Sequence, residues 1–200
     1  MEKNNNRENI ENIIIADADF IDRVAFDLIV NFERIIGRRI PPADMARWID
    51  CIALDGGLRE GDNKTQVVLI HRKETKELEN FMPSDIAAGL HEKAFKDHLG
   101  EFSICCLPIE DMVDEQDFFL DVVGTVCKQK EVRRVMIIPD TEKDTLYDNL
   151  RETLRRLDND DKRITVLSMQ PMQGGNFRQE ILGYSLMNAM GIKADEIKQT

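Results

Sequence analysis

Asn12-Ile13-Ile14-Ile15-Ala16-Asp17 is a run of apolar residues without polar alternation, bounded by polar residues. That pattern reads as a central strand buried on both faces, and it points to a parallel sheet with helices on either side. Residues 20–36 follow as a helix, with Ile21, Val24, Ala25, Leu28, Phe32, Ile35 and Ile36 at helical spacing. Phe26 and Val30 widen its apolar stripe, so this helix is expected to be covered on more than one side. Gly37 ends it.

Working outward, the same alternation recurs. Strands are expected at 65–71, 101–107, 132–138 and 163–169, short apolar runs between helical patterns. Pro41-Pro42 is expected to open a helix that carries Met45, Trp48, Ile49 and Ile52 inward and stops at Gly56-Gly57. Pro83-Ser84 is expected to start another towards Leu99, capped by Gly100, which places His91 and His98 on one helix. Asp114 or a near neighbour caps a helix built on Phe118, Phe119, Val122, Val123 and Val126. Leu146, Leu150, Leu154 and Leu157 mark the next helix, and the acidic turn 158–161 leads into the last strand. A final helix is expected over 177–190, closed by Gly191. No Asn-Gly or Asp-Gly hairpin separates the strands. The expectation is therefore an α/β fold: a single doubly wound, mostly parallel five-stranded sheet with helices on both faces, Rossmann-like, in strand order 3-2-1-4-5. It fills one domain, 12–192, between an N-terminal tail, 1–11, and a C-terminal tail, 193–200.

The 200 residues are 42% hydrophobic and 32% charged, with a formal net charge of −11. A sizeable core is affordable, but an acidic surface repels phosphate backbones, so any nucleic-acid reading requires a local basic patch. The candidates are Arg34, Arg38 and Arg39, then Arg151, Arg155, Arg156 and Arg163, which at helical spacing also read as a solvated face. No apolar run is long enough for a membrane span, and residues 1–12 carry no signal-type stretch. Cys51, Cys105, Cys106 and Cys127 lack CxxC spacing and read as reduced, mostly core thiols, which makes the cytoplasm the expected location.

Ligands of open parallel sheets bind beyond the carboxyl ends of the strands, where strand order reverses. In the expected order that point lies between the first and fourth strands, which end in Asp17 and Asp140. Asp19 and Asp144 lie just beyond them, and Asp22 lies one turn into the first helix. Carboxylates gathered there repel unless a hard divalent cation neutralises them. Mg²⁺ or Mn²⁺ held by Asp17, Asp19, Asp140 and Asp144 would activate water and stabilise a phosphoryl group under attack. The same acids have a plainer reading: Asp19 stands at an N-cap position, Asp140 precedes a helix, and Asp144 suits a helix dipole. Asp17 fits that reading least, because it interrupts an apolar run at the mouth of a central strand.

Other signatures are missing. No GxGxxG follows a strand and no GxxxxGK[ST] occurs, so no nucleotide cofactor is indicated, and there is no GxSxG elbow. His71, His91 and His98 form no metal-ligand pattern; His71, at a strand end, is the best candidate among them for a role. The loop 170–176 is glycine-bearing and reads first as a turn; Trp48 and Phe118-Phe119 read as core.

The segments Ala16-Asp17-Ala18-Asp19-Phe20-Ile21-Asp22-Arg23-Val24-Ala25-Phe26-Asp27, Arg38-Arg39-Ile40-Pro41-Pro42-Ala43-Asp44 and Gln179-Glu180-Ile181-Leu182-Gly183-Tyr184-Ser185-Leu186 resemble a domain-of-unknown-function family of Bacteroides and related gut bacteria, over nearly the whole chain. In its strand-end acids the chain also resembles PIN-like and NYN-type ribonuclease domains, which gather acids after the first and fourth strands around Mg²⁺ or Mn²⁺. That resemblance implies catalytic roles for Asp17 and Asp140 and single-stranded RNA as substrate. NYN domains usually carry Asp-Gly-x-Asn and Ser-Gly-Asp-x-Asp-Phe at these sites. Here the stretches are Asp17-Ala18-Asp19-Phe20 and Ile138-Pro139-Asp140-Thr141, departures that a degenerate member would show. The Asp17/Asp19 and Asp140/Asp144 spacings are also similar to those of haloacid-dehalogenase-type phosphatases, without their terminal Ser or Thr on the second strand or a clear flap after Asp19. Against a nuclease-like hydrolase stands a non-enzymatic interaction or regulatory module that self-associates, as a homodimer, through an apolar helix face.

Overall fold

The computed structural model describes residues 10–143, 145–157 and 161–197. Asp144, most of the acidic turn 158–161 and the greater part of the N-terminal tail therefore lie outside the described residues.

Strand β1 (Asn12–Asp17) is the centre of the sheet, and Ile14, Ile15 and Ala16 are wholly buried. It is flanked in parallel by β3 (Asn63–Arg72) and β7 (Arg134–Ile138). Beyond β3 lies β6 (Gly100–Ile109), and beyond β7 lies β8 (Arg163–Ser168), both parallel. These five reproduce the expected order 3-2-1-4-5. The sheet nevertheless has seven strands and is mixed. A short antiparallel strand, β5 (Ala94–Asp97), adds to β6, and a short parallel strand, β9 (Arg178–Ile181), adds to β8. A separate two-residue pairing joins β2 (Ala43–Asp44) to β4 (Phe81–Met82).

Helices cover both faces. Ile14, Ala16, Val67 and Leu69 point towards α1 (Ala18–Ile36), α2 (Met45–Asp55) and α5 (Leu182–Ala189), where Phe20, Trp48 and Leu186 fill the layer. Their strand neighbours Ile13, Ile15, Val68 and Ile70 face the other way. They meet Phe119 and Val123 of α3 (Glu115–Cys127) and Leu150 and Leu154 of α4 (Leu146–Arg156). Alternation along each strand thus feeds two apolar layers, which is why β1 shows no polar alternation at all. A last turn, α6 (Ala194–Ile197), falls in the stretch read as a tail; its Glu196 takes a bidentate ion pair from Arg38 at the end of α1.

Four sequence expectations give way here. Residues 83–99 are not a helix: a π-helical turn (Ile86–Leu90) is followed by β5, and Gly100 opens β6 instead of capping a helix. His91 and His98 therefore do not share a helix. Strands β5 and β6 form a hairpin around His98-Leu99, with the Asp97 carboxylate accepting from the Leu99 amide and Phe95 stacked on Phe102 at 4.9 Å. The turn was hidden because an aspartate-based local bond, not an Asn-Gly pair, makes it. Second, 177–190 divides into β9 and α5, since residues 178–181 find an open edge on β8. Third, the helix after Pro41-Pro42 begins only at Met45, because Asp44 is its cap and accepts from the Arg47 amide. Fourth, Phe26 and Val30 are about half exposed (53% and 48%), so α1 is covered along one side only. Among the described residues no helix is long and apolar enough to cross a membrane, and all four cysteines are free.

Candidate functional site

Ala16 of β1 lies beside Ile138 of β7, so the chain leaving each strand carries Asp17 and Asp140 to one rim of the sheet. This is the point at which strand order reverses, and a cleft of about 790 Å³ opens there. Its walls come from the N-terminal turns of α1 and α3, the loop after β3, and the turn after β7. Among the described residues, eight carboxylates and four cationic side chains line it, so its field is net negative.

Asp17 is the N-cap of α1: one of its oxygens accepts the Phe20 amide at 2.9 Å. The expectation that Asp19 holds that position is corrected. The helix starts two residues earlier because Asp17, extended and at the end of a strand, already presents its carboxylate to the free amides. Burial pushes the Asp17 carboxyl up to about 6. The Phe20 amide and Lys143 oppose that rise, while the charges of Asp140 and Asp19 add to it.

Asp19 points instead to the chain leaving β3. It accepts from the Arg72 amide at 2.8 Å, from the Arg72 guanidinium at 3.2 Å and from the Thr75 hydroxyl at 2.6 Å. Asp22, one turn on, accepts from the Asn80 amide at 2.8 Å and from its side chain. The loop between β3 and β4 is thus pinned to the first turns of α1 by two aspartates.

Asp140 is 2% exposed. It does not cap α4, which begins at Leu146; one oxygen accepts the Glu142 amide at 3.1 Å and the other meets Arg23 at 3.1 Å. Lys143 stands 4.0 Å from the same oxygen and donates to Glu115 at 2.7 Å. Burial pulls the Lys143 ammonium down, but the Glu115 bond and the charges of Asp17, Glu115 and Asp140 outweigh it and hold the group above its ordinary value. An ammonium therefore sits among three carboxylates at the reversal point.

The fold brings Asp17 and Asp140 together as the strand order requires, and sets Asp19 at the same cleft but tied to β3. Arg23, Arg72, Glu115 and Lys143 were not singled out from the sequence. Two of them carried a faint signal: Lys143 follows Asp140 by three residues, and Glu115 directly follows a helix cap. For a hard cation the donor set is all oxygen. Mg²⁺ is commonly held by one or two carboxylates with water, so Asp17 and Asp140 suffice in kind. The described residues contain no cluster of three or more His, Cys, Asp or Glu with the spacing of an all-protein metal cage.

The model of a family of unknown function (DUF6621) matches residues 6–197. No curated protein and no solved structure matches the chain.

Proposed function

The chain belongs to the DUF6621 family, whose function is unknown, and from its cleft we propose a divalent-cation-dependent phosphodiester hydrolase of PIN-like type. The observation that carries this reading is the meeting of Asp17 and Asp140 at one rim of the sheet, at the mouth of the central strand and beside Lys143. Asp17 and Asp140 would hold the ion, whose chemistry is to lower the pKa of a bound water and to screen phosphoryl charge. Asp17 would bind the ion as the carboxylate, and the proton of the attacking water would leave through the open cleft to solvent as the new P–O bond forms. Lys143 and Arg23 face the cleft as cations that a phosphate can meet, offsetting its negative field locally. The leaving oxygen takes its proton from solvent, since the cleft is open. Single-stranded RNA is the substrate class to be tried first. The phosphatase-type alternative is less favoured, because α1 starts at Ala18 and leaves no loop after Asp17 for a flap.

One observation favours the other reading, a non-enzymatic module. Asp19, Asp22, Asp140 and Glu115 each already have a protein partner, as a structural network would. Melting curves in Mg²⁺ and Mn²⁺ separate the two. An ion at a hundred times its Kd adds about 2.7 kcal/mol, or roughly 5–10 °C for a chain of this size. A midpoint that does not move, with no cleavage of labelled single-stranded RNA, overturns the hydrolase reading.

A further inference from the structure

We infer that a second cavity, of about 480 Å³, at the ends of β3 and β6 binds a small hydroxylated organic anion. It lies across the β3–β4 loop from the acidic cleft, over the π-helical turn, and it stands independently of the hydrolase reading.

Two imidazoles line it, and the backbone fixes their protons oppositely. His71 is 6% exposed, and its Nδ1 lies 2.8 Å from the carbonyl oxygen of Arg72. A carbonyl only accepts, so in the neutral ring Nδ1 carries the hydrogen and Nε2 keeps a lone pair. His91 is the reverse: its Nδ1 accepts the Cys106 amide at 3.0 Å, so its hydrogen sits on Nε2. Neither Nε2 has a hydrogen-bond partner among the described residues. The lining imidazoles thus bring one acceptor and one donor, the complementary pair that hydroxyl groups, which both donate and accept, satisfy.

The charge at the rim selects the rest of the ligand. Lys73 is paired with Asp111, and Asp85 spends its carboxylate capping the π-helical turn at Ala88. Lys76 rests on the Lys73 carbonyl at 2.8 Å and makes no ion pair among the described residues, so its charge is available to an anion. Ile86, Ala87 and Pro108 supply carbon walls. Cys106 joins them, since burial pushes its thiol up to about 12 and leaves it without thiolate character. A carboxylate or a phosphate on a polyhydroxylated carbon chain meets all three demands; a bare anion or an uncharged sugar meets only part.

The test is an NMR titration of the full chain, reading the imidazole ¹⁵N–¹H correlations. Gluconate and glucose 6-phosphate serve as the carboxylate and phosphate probes, with acetate and glucose as controls. Saturable shifts of both His71 and His91 with at least one probe, and weaker binding of both controls, support the site; the stronger probe identifies the acid group. Lys76→Met, at an exposed position, should weaken binding about fivefold, and Ala87→Phe, which fills the cavity, should abolish it. Imidazole signals that stay still, acetate binding as tightly as gluconate, or undiminished binding in both variants overturns the proposal.

Discussion

Asp17 has two roles at once, and asparagine keeps only one of them. As a cap its carboxylate accepts the Phe20 amide, and asparagine does this about as well. Asp17→Asn keeps the cap and removes a buried charge, so it is expected to raise the melting temperature at pH 8, and to abolish Mn²⁺-dependent cleavage of single-stranded RNA. Asp17→Ala loses the cap as well and should be about 1 kcal/mol less stable than Asp17→Asn in denaturant titration. A second residue-scale prediction concerns Asp50 on α2, whose carboxyl is pushed up to about 7 by burial and by Asp97 on the facing hairpin. One of its oxygens is buried without a donor while both acids are charged, and a proton shared with Asp97 supplies it. Because its folded value lies above the ordinary 3.8, its contribution is fully present below that pH and is lost as pH rises through about 7. Asp50→Asn should flatten the pH dependence of the melting temperature between 4 and 7. An unchanged profile would show that the two acids do not share a proton.

At the scale of elements, the sequence is transparent wherever burial is two-sided and opaque wherever an edge completes the sheet. The run 12–17 announces β1, and with it the reversal point where Asp17 and Asp140 meet. Strands β5 and β9 carry no such run. Phe95 and Gln179 sit in stretches that locally suit a helix, and they become strands because β6 and β8 offer unpaired backbone. The cations of the cleft were hard to read for a related reason: Arg23 gains its meaning from Asp140, and Lys143 most of its own from Glu115, carboxylates far away in the chain. Gly100 marks the hairpin's constraint. It has φ +126°, and a Cβ there would lie 2.2 Å from the carbonyl oxygen of Asn63 on β3. Gly100→Ala should therefore destabilise by roughly 3 kcal/mol or more. Chemical denaturation checks this, and a loss below about 1 kcal/mol would mean that the strands move apart at little expense.

Across the whole molecule, a net charge of −11 acts together with several carboxyls held up by burial. Besides Asp17 and Asp50, burial aided by Glu180 pushes Asp55 up to about 6. All three favour the protonated fold, so the chain is expected to melt higher at pH 5.5 than at pH 8, and salt should narrow the gap by screening self-repulsion. Scanning calorimetry at the two pH values, in low and high salt, checks it; a higher midpoint at pH 8 would contradict the sign.

The two outermost strands, four residues each, have a consequence for life in a crowded solution. Interior β strands such as Ile13–Ile15 and Val67–Ile70 would, if left at a border, invite lateral stacking of one copy onto the next. Strand β5 runs against its neighbour and carries Lys96 and Asp97, while β9 presents Arg178 and Glu180, bonded to each other. Short, charged borders of this kind offer an incoming chain few free amides and repel its apolar face. They act as guards against fibril growth, and removing either charge set should shorten the lag time of aggregation well before it alters the fold.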